Sequence, residues 1–131
     1  MGVIIATRRK ARELCLQALF QIDMSGSDVY EALADILESQ NVDEKTKDFV
    51  GKLVKGAVEH REEIDTLIKS KLKSWEFSRI APVDRNILRY ALFELLYCED
   101  VPAKVAINEA IEISKKFGAP ESSRFINGVL D

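Results

Sequence analysis

The 131-residue sequence predicts an all-α fold, and three observations carry that expectation. Apolar residues recur at three- and four-residue steps in one segment after another. No run alternates with the period of two that a half-buried strand requires. The six glycines and three prolines are few and fall mostly between the periodic segments. Together these give a single domain, an all-α bundle of about seven helices. A chain of this length can bury a core without disulfides or metal.

The first helix is expected from about Thr7 to Met24, where Ala11, Leu14, Cys15, Ala18, Leu19 and Ile22 form one stripe. At about 100° per residue, Arg9, Arg12, Leu16 and Phe20 lie on a second face, basic at its start and aromatic at its end. Leu16 and Phe20 either pack on a neighbouring helix or stay exposed. Ser25-Gly26-Ser27-Asp28 is a turn, and Ser27 or Asp28 can cap a helix over about 28–39. Asp43 opens a longer segment, read as two helices bent near Glu59-His60-Arg61, with His60 a surface residue. Phe49, Val50, Leu53, Val54, Ala57 and Val58 stripe its first part, and Ile64, Leu67, Ile68 and Leu72 its second.

Trp75 to Pro82 reads as an irregular connection, with Trp75 and Phe77 folded onto the core. Pro82 suits the entry to a helix over about 83–98. That helix is apolar almost all round, the mark of a bundle's central element. Pro102 opens the next helix, with Ala106, Ile107, Ala110, Ile111, Ile113 and Phe117 inward, and Gly118 is expected to end it in a left-handed cap. A last short helix from about Glu121 returns Phe125, Ile126, Val129 and Leu130 to the core.

Charge is unevenly spread along a chain of net charge −3. Basic groups number four against two acidic ones in residues 1–25, five against eleven in 26–65, and ten against nine in 66–131. An acidic partner is therefore expected at the first helix or the C-terminal half, not the middle. Arg8, Arg9, Lys10 and Arg12 place four cations within five residues, a local contact point on an acidic protein. Cys15 and Cys98 are far apart and, with the lone His60, lack the spacing of a zinc site, so both are expected as core residues in a reducing compartment. Val3-Ile4-Ile5-Ala6 is too short for a signal sequence, and no apolar run approaches a membrane span, so the expectation is a soluble cytoplasmic protein. No phosphate loop, HExxH or nucleophile–base pair is present. Glu62-Glu63 and Glu99-Asp100 are neighbours that point to different sides of a helix. They suit solvated surface better than acid–base work. Neither an enzyme nor a cofactor is expected.

The second half carries an ordered set of blocks: Trp75 to Arg79, Pro82-Val83-Asp84-Arg85-Asn86-Ile87-Leu88-Arg89, Phe93-Glu94-Leu95-Leu96, Val101-Pro102, Val105 to Ile113, and Phe125-Ile126-Asn127-Gly128-Val129-Leu130-Asp131. With Arg8-Arg9-Lys10-Ala11-Arg12-Glu13 and Gln17-Ala18-Leu19-Phe20, they cover about residues 8–131. This pattern resembles the NusB family of bacterial transcription antitermination factors. The resemblance implies a single RNA-binding helical domain over residues 1–131 made of two small helical bundles packed across one another, roughly residues 7–73 and 74–131. It also implies binding of single-stranded boxA RNA from ribosomal RNA operons together with NusE, a small-subunit ribosomal protein, in an assembly with other Nus factors and RNA polymerase. Some relatives self-associate through the surface that otherwise faces RNA, so a homodimer is a further expectation. A similar helical domain also precedes the catalytic domain of some ribosomal RNA cytosine methyltransferases, which supplies the alternative of a module linked to ribosomal RNA methylation.

By this resemblance Arg8, Arg9, Lys10 and Arg12 are the main RNA-binding residues, and Lys71, Glu121, Arg124 and Phe125 a second group. Lysine at 71 stands where relatives often carry an aromatic, which favours a phosphate contact over base stacking. Glu121 would repel phosphate, and Phe125 reads as a core residue ahead of an RNA platform. Phe20 and Asp84 match positions on the NusE side. Phe20 is an interface anchor or ordinary packing, and Asp84 is a partner contact or a cap or dipole partner of the central helix. Asn108 and Glu109 are expected to be structural.

Overall fold

A computed structural model describes the backbone of residues 2–131 and the side chains of residues 7–73 and 76–131. Seven helices follow in order: α1 Gly2–Ser25, α2 Val29–Glu38, α3 Glu44–Glu59, α4 Arg61–Ser70, α5 Pro82–Tyr97, α6 Ala103–Phe117 and α7 Ser122–Leu130. A 3₁₀ segment, Ser74–Arg79, links α4 to α5, and no strand occurs among the described residues. The first helix begins about one turn earlier than its stripe indicates.

Local chemistry sets most boundaries. Gly26 adopts φ 68° and donates its N–H to the Ile22 carbonyl at 3.0 Å, closing α1 in the left-handed region that glycine enters freely. The Asp28 carboxylate caps α2 by accepting the N–H groups of Tyr30 and Glu31, and Asp43 caps α3 through Thr46 N–H at 2.8 Å. The long middle segment is two helices, divided at His60. Gly118 departs from expectation, because its φ of −94° is not left-handed. Space selects glycine there: a Cβ would meet the Ser122 side chain at 2.6 Å and the Ser114 carbonyl at 2.8 Å.

α5 is the hub, packed against α1, α3, α4, α6 and α7, while α1 also packs on α2, α3 and α6. One core joins residues from every helix, from Ala11 and Leu14 through Val50, Ile64 and Leu88 to Ile113 and Ile126. α3 meets α5 at Gly56, whose hydrogen lies against the Phe93 ring. The far end of α5 emerges from this packing, leaving Leu96 and Tyr97 exposed, contrary to the all-round burial its composition indicates. There His60, expected at the open surface, is half-buried with its ring 4.1 Å from Tyr97 and 5.9 Å from Phe93. Phe77 packs on the core, and the Trp75 side chain lies outside the described residues. Both cysteines are buried, and burial raises their thiol pKa values.

Candidate nucleic-acid interface

α1 carries four cations near its start and divides them between two environments. Arg8, Arg9 and Lys10 are half-exposed, whereas Arg12 is 1% exposed. The cause is the position of α1 between α3 on one side and α5 and α6 on the other. On its second face the two middle residues, Arg12 and Leu16, point at those neighbours, while Arg9 and Phe20 at either end reach water. The expectation that Arg12 is an accessible RNA contact is corrected accordingly. Its guanidinium forms a two-pronged pair with Glu94 of α5, through Nε to Oε1 at 3.0 Å and a second, shorter bond, and it lies 3.6 Å from Glu109 of α6. Burial works against the Arg12 charge, but the bond and field of Glu94, with Glu109 behind, outweigh it and raise its pKa. Nearby Tyr90 is wholly buried, and its hydroxyl has no hydrogen-bond partner among the described residues. Leu16, on the same face, is buried too, while Phe20 is 38% exposed.

The exposed cations are held with graded strength. Arg9 makes a forked pair with Glu109, Nε to Oε1 at 3.0 Å and a terminal nitrogen to Oε2 at 2.6 Å, which raises its pKa. Arg8 lies 4.7 Å above the Phe49 ring and reaches Asp100 at only 3.4 Å, with both ends open to solvent. Lys10 forms no ion pair among the described residues. Lys116 pairs with Glu13 at 3.0 Å, so α6 runs beside α1. The result is a basic tip whose root is clamped by two buried carboxylates and whose outer groups are free or weakly tied.

The second group sits elsewhere. Lys71 is exposed, with Nζ 3.5 Å from the Asp131 carbonyl, which sets the end of α4 beside the end of α7. Glu121 and Arg124 are exposed at the start of α7, and Phe125 is partly buried against the core. No hydrogen bond or ion pair among the described residues joins these four to the α1 tip.

Where the end of α1 meets the start of α5, Asp23 accepts bonds from Arg85 at 2.7 and 3.0 Å and from Asn86 at 3.0 Å, with Arg89 3.2 Å away. Burial opposes the Asp23 charge, but these donors win and lower its pKa. Phe20 lies one turn before Asp23. Asp84 lies in the first turn of α5, with Ala81 and not Asp84 as the cap residue, so its placement suits the helix dipole. The residue is 9% exposed and so offers little surface of its own. Its Oδ1 has no partner among the described residues, and burial raises its pKa, a Ser122 bond working against this and the Glu121 charge adding to it.

Of the two carboxylates that organise the tip, Glu109 and Glu94, the sequence reading passes over Glu94. Glu94 stands inside the apolar run Leu92-Phe93-Glu94-Leu95-Leu96, and a carboxylate there requires a buried cation. That demand was a readable signal. Glu109 was correctly expected to be structural, but Asn108 beside it is exposed.

Fold and site together define a small all-helical binding protein with a braced cationic helix end and no assembled acid–base or nucleophilic centre among the described residues. The model of the NusB family matches residues 9–131, and the chain belongs to that family. It is 49% identical to the transcription antitermination protein NusB of Bacillus subtilis, covering 94% of this chain and 91% of that one. The Symbiobacterium thermophilum protein of the same name is 46% identical over 95% of this chain and 86% of its own. A T. maritima NusB structure superposes with a TM-score of 0.87 at 40% identity, covering 95% and 87% of the two chains. A crystal structure of antitermination factors NusB and NusE in complex with dsRNA matches at TM-score 0.87 and 28% identity, covering 95% and 93%. Among the described residues no helix is long and apolar enough to cross a membrane.

Proposed function

We propose that this chain is a non-enzymatic transcription antitermination factor that acts in the cytoplasm. It binds single-stranded boxA RNA of ribosomal RNA operons together with NusE, and the pair joins other Nus factors on RNA polymerase to promote read-through. The observation that supports this most is the α1 tip in a member of the NusB family: three cations at the rim, braced from beneath by Arg12, Glu94 and Glu109. The relatives named above are antitermination proteins, which favours this reading over one linked to ribosomal RNA methylation.

In this mechanism Arg8, Arg9 and Lys10 meet phosphates, releasing counterions, so affinity falls with salt. Arg12 serves by holding the tip to α5 and α6. Lys71 and Arg124 extend the phosphate track, Phe125 offers at most a ring edge, and Glu121 opposes RNA until a partner adds positive charge. Phe20 is the open contact for NusE, and Asp84 supports that side from beneath by fixing the start of α5 against α7. Titration of boxA and a scrambled RNA, each with and without NusE, tests the proposal. The expected result is weak selective binding by the chain alone, tightened by NusE. Equal affinity for both RNAs, or no gain with NusE, would overturn it.

A further inference from the structure

A cavity of about 620 Å³ lies between the start of α1 and the first half of α3. That volume is within the roughly 300–1,000 Å³ of pockets that hold small ligands. We propose that this cavity is a nucleotide subsite, taking the base and phosphate of an unpaired ribonucleotide adjacent to those held by the α1 tip. The inference rests on the RNA-binding function proposed above and adds a second place of contact.

The lining has the chemistry that single-stranded RNA uses. Phe49 supplies an aromatic wall, over which the Arg8 guanidinium lies at 4.7 Å from the centroid with Arg12 at 5.4 Å, so a base entering the cavity stacks on the outer Arg8 plane or takes its place on the ring. A base can stack on either surface without regard to its identity. Arg8 is not locked there. Its pair with Asp100 spans 3.4 Å and is open to water at both ends, an arrangement that contributes little in solvent. An incoming phosphate can therefore recruit it.

Lys45 and Lys52 project from α3 into the same lining, both exposed and without an ion pair among the described residues. The two carboxylates in the lining are not equivalent. Asp43 is committed to capping α3 through the Thr46 N–H at 2.8 Å, a bond that lowers its pKa. Asp48 carries no such bond and is the free acceptor for an amino edge of a base. Three cations thus meet two carboxylates, one of them spent. The excess is supplied by Arg8 of α1, because residues 26–65, where acidic groups number eleven against five basic ones, contribute two charges of each sign to this lining. The fold thus sets a cation of the basic first helix against a locally balanced stretch of the acidic middle.

The test compares a boxA core RNA with the same core extended by single nucleotides at either end, carrying 2-aminopurine at each added position. Wild type, the double variant Lys45→Glu/Lys52→Glu and Phe49→Leu are titrated with each, after circular dichroism confirms folding. The expected result is a gain in affinity for one extension, with 2-aminopurine quenched at that position. The double charge reversal then removes that gain, a loss of roughly tenfold or more, while core binding is kept. Phe49→Leu abolishes the quench, and because the lysine variant alters only exposed groups, the test survives if Phe49→Leu fails to fold. Equal affinity for all lengths without quenching overturns the subsite while leaving core binding at the tip intact. So does an equal loss for core and extended RNA, or a loss confined to NusE binding, which would make the cavity a protein contact. Absence of any boxA binding by wild type with NusE would remove the functional reading itself, and this inference with it.

Discussion

Lys10 and Arg12 stand two residues apart and therefore about 200° around α1, and that rotation separates binding from stability. Arg12 is 1% exposed and its partner Glu94 is wholly buried. Removing one member leaves the other charge in a medium that cannot solvate it, which costs about 3–5 kcal/mol. Arg12→Ala should therefore lower the free energy of urea unfolding by that amount. Lys10→Ala removes only an exposed group, so stability should stay within about 0.5 kcal/mol. Its effect should appear instead in RNA titrations at several salt concentrations, as a slope shallower by about 0.7 because one phosphate is no longer neutralised. Asp84 provides a pH signature. Its raised pKa means that the folded state holds the proton more tightly than the unfolded chain. The associated stabilisation is complete below the ordinary carboxylate range and is lost as pH rises through the folded value, where the ionised group is buried with Oδ1 unpaired. Asp84→Asn should therefore be more stable than wild type at neutral pH in urea unfolding. That advantage should shrink at about pH 3, below the ordinary aspartate value of about 3.9.

At the scale of helices, two glycines of α3 make opposite predictions. A Cβ on Gly56 would lie 2.0 Å from the Phe93 ring, so Gly56→Ala forces α3 and α5 apart, and overpacking of that kind costs about 1–3 kcal/mol. A Cβ on Gly51 meets nothing within 4 Å, so Gly51→Ala should gain most of the helix propensity difference, up to about 1 kcal/mol. Thermal melts of the pair, run side by side, check both signs. Helical period exposed the α3 stripe in the sequence because Val50, Leu53, Val54 and Ala57 repeat on one face. Nothing in that period distinguishes Gly51 from Gly56, since close approach belongs to two helices and not to one. Gly118 makes the same point. Its place at a helix end was legible, but the reason for glycine is the Ser122 side chain arriving from α7, not a left-handed φ.

The molecule as a whole depends on α5 being inserted among elements from both halves of the sequence. Core residues of α1 and α3 reach their burial against α5, and the buried Arg12–Glu94 pair crosses the same boundary. A fragment of residues 1–73 would expose that apolar face and leave Arg12 without its carboxylate. It should lack the dispersed amide spectrum of a folded protein by NMR, and the full chain should unfold in one transition by circular dichroism and fluorescence alike. A fragment that folded by itself would show that the first four helices form an independent unit. Cooperativity depends on which surfaces the helices share, not on the order in which they follow one another.

Helix number, helix faces and most boundaries were written in the chain, because spacing along one helix and capping by a nearby Asp or Gly are local physics. The basic run at residues 8–12 was equally visible, as was the family pattern that gives it meaning. Which of those cations meets water was not. That was settled by α5 and α6, which bring Glu94 and Glu109 from some 80 to 100 positions away to bury Arg12 and tether Arg9. It was settled as well by α3, which sets Phe49 beneath Arg8 and brings Lys45 and Lys52 to the same cavity. Charge pairing acts through space, and a linear sequence orders charges without stating their distances.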